Sequence, residues 1–126
     1  MNDIDNRGDQ TLSRALRIIR DEYGSDELSV DSLSCSCGVS RRVLERVFRD
    51  RLDKSPLEII TLRRIRIARE LLLCSDEPIA EIAAKVGFAD VKSLRHHFQR
   101  QEGLTPGAWR KSRKSQTSLG RTVTTP

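Results

Sequence analysis

Two arginines spaced one helical turn apart, Arg42 and Arg46, are the residues of this sequence whose type and spacing best suit recognition chemistry. Each guanidinium group carries N–H donors that can pair with a carboxylate, a phosphate or the O6 and N7 acceptors of guanine. Glu45 lies between them and can accept a hydrogen bond from the amino group of cytosine. A solvated helix face with an Arg–Glu ion pair would show the same pattern. The elements around these residues must therefore decide between the two interpretations.

The segment that carries these residues is predicted to be an amphipathic helix. Ser40 is a suitable N-cap, and Val39 before it can pack against Leu44 and fix how the chain enters the helix. The apolar spacing predicts a buried stripe of Val43, Leu44, Val47 and Phe48. The opposite face is mostly basic and carries Arg41, Arg42, Glu45, Arg46 and Arg49.

The same arrangement occurs a second time about 50 residues later. A short helix ends at Gly38 in the first copy and at Gly87 in the second, and Asp90 takes the place of Ser40 as the cap of the next helix. The apolar positions correspond as well: Leu33, Cys37, Val39, Leu44 and Phe48 in the first copy, and Ile82, Val86, Phe88, Leu94 and Phe98 in the second. A helix, a turn with glycine and a second helix with a basic outer face form the helix-turn-helix pattern. Two copies are much more specific than one.

Helical periodicity covers most of the chain, and strand patterns are almost absent. Ser55, Pro56 and Glu58 form a capping box that starts the longest helix, from about Pro56 to Cys74. The sequence therefore predicts an all-α fold of about seven helices, in which a linker helix joins two helix-turn-helix subdomains. The expected parts are a disordered segment or linker remnant (1–10), the first subdomain (11–55), the linker helix (56–74), the second subdomain (75–111) and a disordered basic tail (112–126).

The second copy resembles the signature of a known family. Its residues Ile79, Ile82, Ala83, Val86, Gly87, Phe88, Phe98, Gly103, Thr105, Pro106, Trp109 and Arg110 are similar to the IAEIAxxVGF…F…GxTPxxWR stretch of the AraC/XylS family of bacterial transcription regulators. The resemblance covers about residues 12–111, because Ser40, Leu44 and Phe48 agree with the family too, as do Arg66, Ala68, Leu71 and Leu72 on the joining helix. The run from Ser40 to Arg49 is most similar to the xylose-regulator branch.

Two residues depart from the family pattern. Leu94 stands where many members have an aromatic residue, and Asp53 replaces the common glycine after the first recognition helix. Because glycine is the residue that most readily adopts a positive φ, the second departure predicts an unusual turn at residues 52–55.

The resemblance implies an AraC-type, homeodomain-like fold and sequence-specific binding to double-stranded DNA by two recognition helices. Because these helices lie in one chain on either side of a stiff joining helix, we expect them in successive major grooves about 10 base pairs apart. The base-contacting residues that it indicates are Arg42, Glu45 and Arg46 in the first copy and Val91, Lys92, Ser93 and His96 in the second. The expected phosphate contacts are Ser40, Arg41, Arg49, Arg63, Arg95 and Arg100. The aromatic residues Phe48, Phe88, Phe98 and Trp109 are expected in the core. The run from Arg110 to Lys114 resembles a basic arm, although a solubilising tail would look the same.

The charge of the chain agrees with a polyanionic partner. Its 126 residues include 23 Lys and Arg against 18 Asp and Glu, a formal net charge of +5. Residues 1–31 hold eight acidic and four basic residues, so that residues 32–126 carry a net charge of +9. No apolar run approaches the roughly 18 residues of a membrane-spanning helix, and no signal peptide follows Met1, which favours a cytoplasmic protein without a membrane partner.

Other function classes fit the sequence less well. An enzyme, such as the alkyl-repair branch that joins this kind of module to an acceptor cysteine, needs a nucleophile with a base beside it. The three cysteines, Cys35, Cys37 and Cys74, are expected as small buried or helix-terminal residues and have no histidine next to them in sequence. A zinc site needs about four ligands, and His96 and His97 lie in another segment, so we expect no metal and no cofactor. A helical adaptor that binds only protein would keep its partner at high salt.

Family members commonly carry a sensor domain before this module. The resemblance therefore implies that the chain is the C-terminal fragment of a longer sensor-regulator or a rare stand-alone member, with RNA polymerase as a candidate partner.

Overall fold

A computed structural model describes residues 2–113 of the protein, with side chains from residue 7 onward. Six helices follow one another in the order α1 (Asn2–Glu22), α2 (Val30–Cys37), α3 (Arg41–Leu52), α4 (Pro56–Cys74), α5 (Ile79–Lys85) and α6 (Val91–Glu102). A seventh helix, α7, begins at Pro106 and reaches residue 113, where the description ends. No strand occurs within residues 2–113. The predicted all-α class with seven helices is confirmed.

The chain forms two compact units, Met1–Arg64 and Ile65–Pro126, and α4 begins in the first and ends in the second. The core of the first unit consists of Ala15, Ile19, Leu28, Val30, Leu33, Leu44, Phe48 and Ile60. The buried apolar residues of the second unit are Ile65, Ala68, Leu72, Ile82, Ala83, Val86, Phe88, Leu94, Phe98 and Trp109. The four aromatic residues predicted in the core are buried. The sequence predicts a separate linker helix (56–74) between the two subdomains. In the structure this helix is instead divided between the two units, because its first half buries side chains in the first unit and its second half in the second.

The predicted helix starts are confirmed by hydrogen bonds of the capping side chains. The Ser40 hydroxyl accepts from the Val43 N–H at 3.1 Å, and the Asp90 carboxylate accepts from the Ser93 N–H at 2.8 Å. Ser55 and Glu58 form a reciprocal capping box, in which each side chain accepts from the other's backbone N–H at 3.1 Å. The bond from the Ser55 N–H keeps the pKa of the Glu58 carboxyl below its ordinary value.

Corresponding turns end α3 and α6. The N–H of Gly103 (φ 80°) donates to the Gln99 carbonyl at 2.9 Å after α6, and the N–H of Asp53 (φ 56°) donates to the Arg49 carbonyl at 3.0 Å after α3. Asp53 is the only residue other than glycine with a positive φ among residues 2–113. The turn at residues 52–55 therefore has the same backbone conformation as the turn at Gly103, but an aspartate instead of a glycine adopts the positive φ.

The first ten residues differ from the expectation of a disordered segment, because α1 begins at Asn2. Asp9 accepts a hydrogen bond from Nε of Arg51 in α3 at 3.0 Å, and a Cβ atom at Gly8 would lie 2.9 Å from Nη2 of the same arginine. These contacts join residues about 40 positions apart, so local periodicity carries no sign of them. At the other end, α7 extends through residues 112–113, and the rest of the predicted basic tail lies outside the described residues.

Two residues predicted to be buried are exposed instead. Val43 of the predicted apolar stripe is 37% exposed, because α3 turns mainly Leu44 and Phe48 into the core. Cys35 is also exposed. Cys74 is the exposed last residue of α4, in agreement with its expected helix-terminal position, and Cys37 is half-buried, which raises the pKa of its thiol. The described helices include none that is both long and apolar enough to cross a membrane.

Candidate nucleic-acid interface

Leu44 and Phe48 are fully buried and mark the inner face of α3. The side chains on the opposite side of the helix therefore form its outer face. Arg42, Glu45 and Arg46 are exposed, as the helical spacing predicts. Neither Arg42 nor Arg46 has a hydrogen bond or an ion pair with any residue in the described part of the chain. Both guanidinium groups are therefore available to a ligand. Glu45 accepts from Nε of Arg41 at 3.4 Å, a weak surface ion pair.

The predicted phosphate contacts around α3 already have partners within the protein. The Ser40 hydroxyl caps the helix, and Arg41 also lies 3.3 Å from Asp31. Nη1 of Arg49 donates to the Asp53 carbonyl at 3.3 Å. The side chains of both arginines are 56% exposed. Because exposed ion pairs contribute little, a phosphate can replace these partners at a small cost.

Arg63 lies in a different environment from the one predicted. Its side chain is half-buried, and Nη2 donates to the carbonyl of Arg20 at 3.4 Å. The guanidinium carbon lies 5.3 Å from the centre of the Tyr23 ring, which is a cation–π contact. The side chain therefore packs within the first unit, against α1 and the turn that follows it.

The outer face of α6 is equivalent to that of α3, since Leu94 and Phe98 are fully buried on its inner face. The predicted residues Lys92, Arg95, His96 and Arg100 are exposed, while Val91 and Ser93 are half-buried. The Ser93 N–H is used by the Asp90 cap. The ring of His96 meets that of His97 edge to face at 5.1 Å. Both recognition helices therefore present cations, but α6 also presents imidazole and a small apolar side chain.

Arg110 has a structural role that the sequence interpretation missed. Its guanidinium group donates to the carbonyls of Leu72, Ser75 and Glu77 at 3.0, 3.1 and 2.9 Å. The last carbonyls of a helix, and those of the turn after it, have no N–H partner within the helix. At the end of α4, the Arg110 guanidinium group provides the missing hydrogen-bond donors. Arg110 thus belongs to the framework of the second unit rather than to a basic arm.

Arg64 has the same function in the first unit. Its Nε donates to the carbonyl of Tyr23 at 2.8 Å, and Nη2 donates to that of Ser25 at 3.2 Å, just after the end of α1. Burial lowers the pKa of its guanidinium group. No local sequence pattern distinguishes Arg64 from its neighbour Arg63, because the carbonyls that it contacts lie about 40 residues away.

Comparisons with known proteins agree with this geometry. The family described as a helix-turn-helix domain matches residues 33–112. The RCS-specific HTH-type transcriptional activator RclR of Escherichia coli (strain K12) is 34% identical over 82 residues, which cover 65% of this chain and 29% of that protein. The chain spans about 27–32% of the length of the first curated relatives that it matches.

Two solved structures have the same fold. The DNA-binding domain of the global transcriptional factor AdpA, in complex with a target DNA, is similar with a TM-score of 0.80 and 29% identity, over 85% of this chain and 96% of that one. The C-terminal domain of AraT, a response regulator from Geobacillus stearothermophilus, has a TM-score of 0.78 and 28% identity, over 81% of this chain and 84% of that one.

Proposed function

Because this chain belongs to the AraC-type helix-turn-helix domain family of transcription regulators, we propose that it binds a specific double-stranded DNA site with α3 and α6 as its recognition helices. The observation that carries the proposal is the equivalence of these two helices. Each is capped by a side chain that starts the helix, each buries a leucine and a phenylalanine four residues apart, and each leaves cations exposed. The major groove of B-form DNA admits one such helix.

The roles of the side chains follow from their chemistry. In α3, Arg42 and Arg46 each donate two hydrogen bonds to guanine, and Glu45 accepts from cytosine once it leaves Arg41. In α6, Val91 contacts a thymine methyl group, while Lys92, Ser93 and His96 donate to bases. This proposal makes the α3 half of the site the more discriminating one.

Phosphate contacts are assigned to five of the six residues predicted for that role: Ser40, Arg41, Arg49, Arg95 and Arg100. Arg63 would have to leave the Arg20 carbonyl and the Tyr23 ring to reach a phosphate, so we omit it from the interface.

We further propose that the chain is the C-terminal part of a longer bacterial sensor-regulator that acts in the cytoplasm and works with RNA polymerase. The support for this proposal is that the matched region covers less than a third of curated relatives named as transcription regulators. The sensor domain of such a protein would precede α1.

The salt dependence of binding tests the proposed function. The preferred site is first selected from a random DNA pool, and affinity is then measured between 50 and 200 mM salt. Contact with about six to ten phosphates lowers the affinity by roughly 10³- to 10⁵-fold over this range, because bound cations displace condensed counterions. A flat salt response would contradict the proposal and favour a helical adaptor, whose protein partner stays bound at high salt.

A further inference from the structure

We propose that α1 takes part in DNA binding, through a contact between Arg7 and a phosphate beside the groove that α3 occupies. The inference rests on the proposed function, and it adds a contact from a helix outside the helix-turn-helix pair. It concerns residues 7–51 of the first unit only.

The geometry that points to this contact is a surface hollow of about 420 Å³ on the first unit. Its lining comes from the start of α1 and from the flank of α3: Arg7, Gly8, Thr11, Val39, Val43, Arg46, Val47, Asp50 and Arg51. Arg46 is one of the proposed base-reading residues. A DNA strand that Arg46 contacts would therefore lie next to the first turns of α1.

Two contacts join the start of α1 to α3. Asp9 and Arg51 form an ion pair at 3.0 Å, and Nη2 of Arg51 lies 2.9 Å from the position that a Cβ atom on Gly8 would take, so a larger residue there would require the arginine side chain to shift. These contacts place the first turns of α1, and with them Arg7, beside α3.

The charges around the hollow favour an anion. Three arginines and one carboxylate, Asp50, line it; because Arg51 pairs with Asp9, Arg7 and Arg46 against Asp50 leave a net charge of +1. Arg7 is exposed and has no hydrogen bond or ion pair with a described side chain or backbone group. Arg7 and Arg46 line the same hollow, so Arg7 can meet a phosphate of the DNA strand whose bases Arg46 contacts.

The test compares Arg7→Gln with Arg17→Gln, which removes the same charge from an exposed position on α1 outside the hollow. The 126-residue chain is used with its selected site and with random DNA. Arg7→Gln should lower both affinities by about 5- to 10-fold at 0.1 M salt and reduce the slope of log K against log salt by about 0.9, the value for one phosphate. Arg17→Gln should change affinity by less than about 2-fold.

Two further measurements identify the contact as one with a phosphate. Arg7→Lys should retain most of the affinity, because a phosphate contact needs the charge more than the planar fork. Ethylation of DNA phosphates should interfere with wild-type binding at one position where it no longer affects Arg7→Gln. Circular dichroism should show equal helix content in all variants, since neither arginine is buried.

Equal affinities and slopes for Arg7→Gln and Arg17→Gln, with wild-type binding intact, would overturn the role of Arg7 and leave the proposed function standing. Absence of salt-sensitive DNA binding by the wild type would overturn both.

Discussion

At the scale of single residues, four arginines of this domain form two contrasting groups according to what their guanidinium groups contact. Arg64 donates to backbone carbonyls just after the end of α1, and Arg110 donates to carbonyls in the last turn of α4 and just after it. Arg42 and Arg46 have no such contact in the described part of the chain and extend from α3. The two groups cannot be distinguished by residue type, because the carbonyls lie between 33 and 41 positions from the arginines that bind them.

The first group is expected to affect folding without affecting recognition. Arg110→Ala should lower the free energy of unfolding by about 2–3 kcal/mol, because three carbonyls lose a charged donor. Lys111→Ala, at the exposed neighbouring position, should change it by less than about 0.5 kcal/mol. Urea unfolding measures both. Equal stability of the two variants would mean that Arg110 is a basic surface residue, as the sequence indicated.

The second group is expected to affect recognition without affecting folding. Arg46→Ala should lower the affinity for the selected site by about 1–3 kcal/mol and relax the preference at one base pair, because a bidentate contact with guanine is lost. Arg49→Ala should weaken binding to selected and random DNA alike, since a phosphate contact carries no sequence information. Binding measured on both DNAs compares the variants, and equal ratios of specific to random affinity would contradict the assignment.

At the scale of helices, the starts of α3, α4 and α6 could be predicted because their signals are local. The Ser40, Ser55 and Asp90 side chains bind backbone N–H groups only three residues ahead. The helical state of residues 2–10 was not predicted, because they show no apolar periodicity and the contact between Asp9 and Arg51 joins positions 42 residues apart. The exposure of Val43 was missed for a related reason: helical periodicity defines an apolar stripe, but neighbouring helices decide which part of it is covered.

The two helix ends at Asp53 and Gly103 allow a matched test of backbone strain. Asp53→Gly should raise the free energy of unfolding by about 0.5–1 kcal/mol, because glycine adopts a positive φ without steric cost. Gly103→Ala should lower it by about 1 kcal/mol; a Cβ atom there meets nothing within 4 Å, so the change acts through the backbone alone. Thermal unfolding checks both signs. A loss of stability in Asp53→Gly would show that the aspartate side chain makes a compensating contribution.

At the scale of the whole molecule, the internal repeat made the fold and the family predictable. Corresponding residues 50 positions apart, such as Leu44 and Leu94 or Phe48 and Phe98, are buried in separate units. Such a match over two copies cannot come from a general amphipathic pattern, and it led to the AraC/XylS resemblance that the family comparison confirms. The base-contacting residues stay predictions, since they depend on a DNA sequence that the fold does not determine. The similarity of residues 40–49 to the xylose-regulator branch also stays a prediction, because it rests on ten residues and many sequences are compatible with the same helix.

At the same scale, both units of one chain should bind a single DNA molecule. If α3 and α6 of a single chain read successive major grooves, a monomer should protect a site of about 15–20 base pairs that is not palindromic. Inserting five base pairs between the two contacted segments turns one of them to the opposite face of the duplex, about half a helical turn away. The chain must then give up one segment or deform the DNA, so affinity should fall.

An insertion of ten base pairs is the matched control, since it restores the face but doubles the separation. Both insertions should reduce the affinity to that of the α3 half-site alone, because the two segments are then no longer one helical turn apart on one face, and bending the duplex to bring them together costs about 1–6 kcal/mol. Lys92→Ala should weaken binding to the unaltered site and have little effect on either insertion site, where α6 no longer contacts its segment. Undiminished affinity after the five-base-pair insertion would mean that one helix-turn-helix unit reads the DNA and the other stabilises the domain.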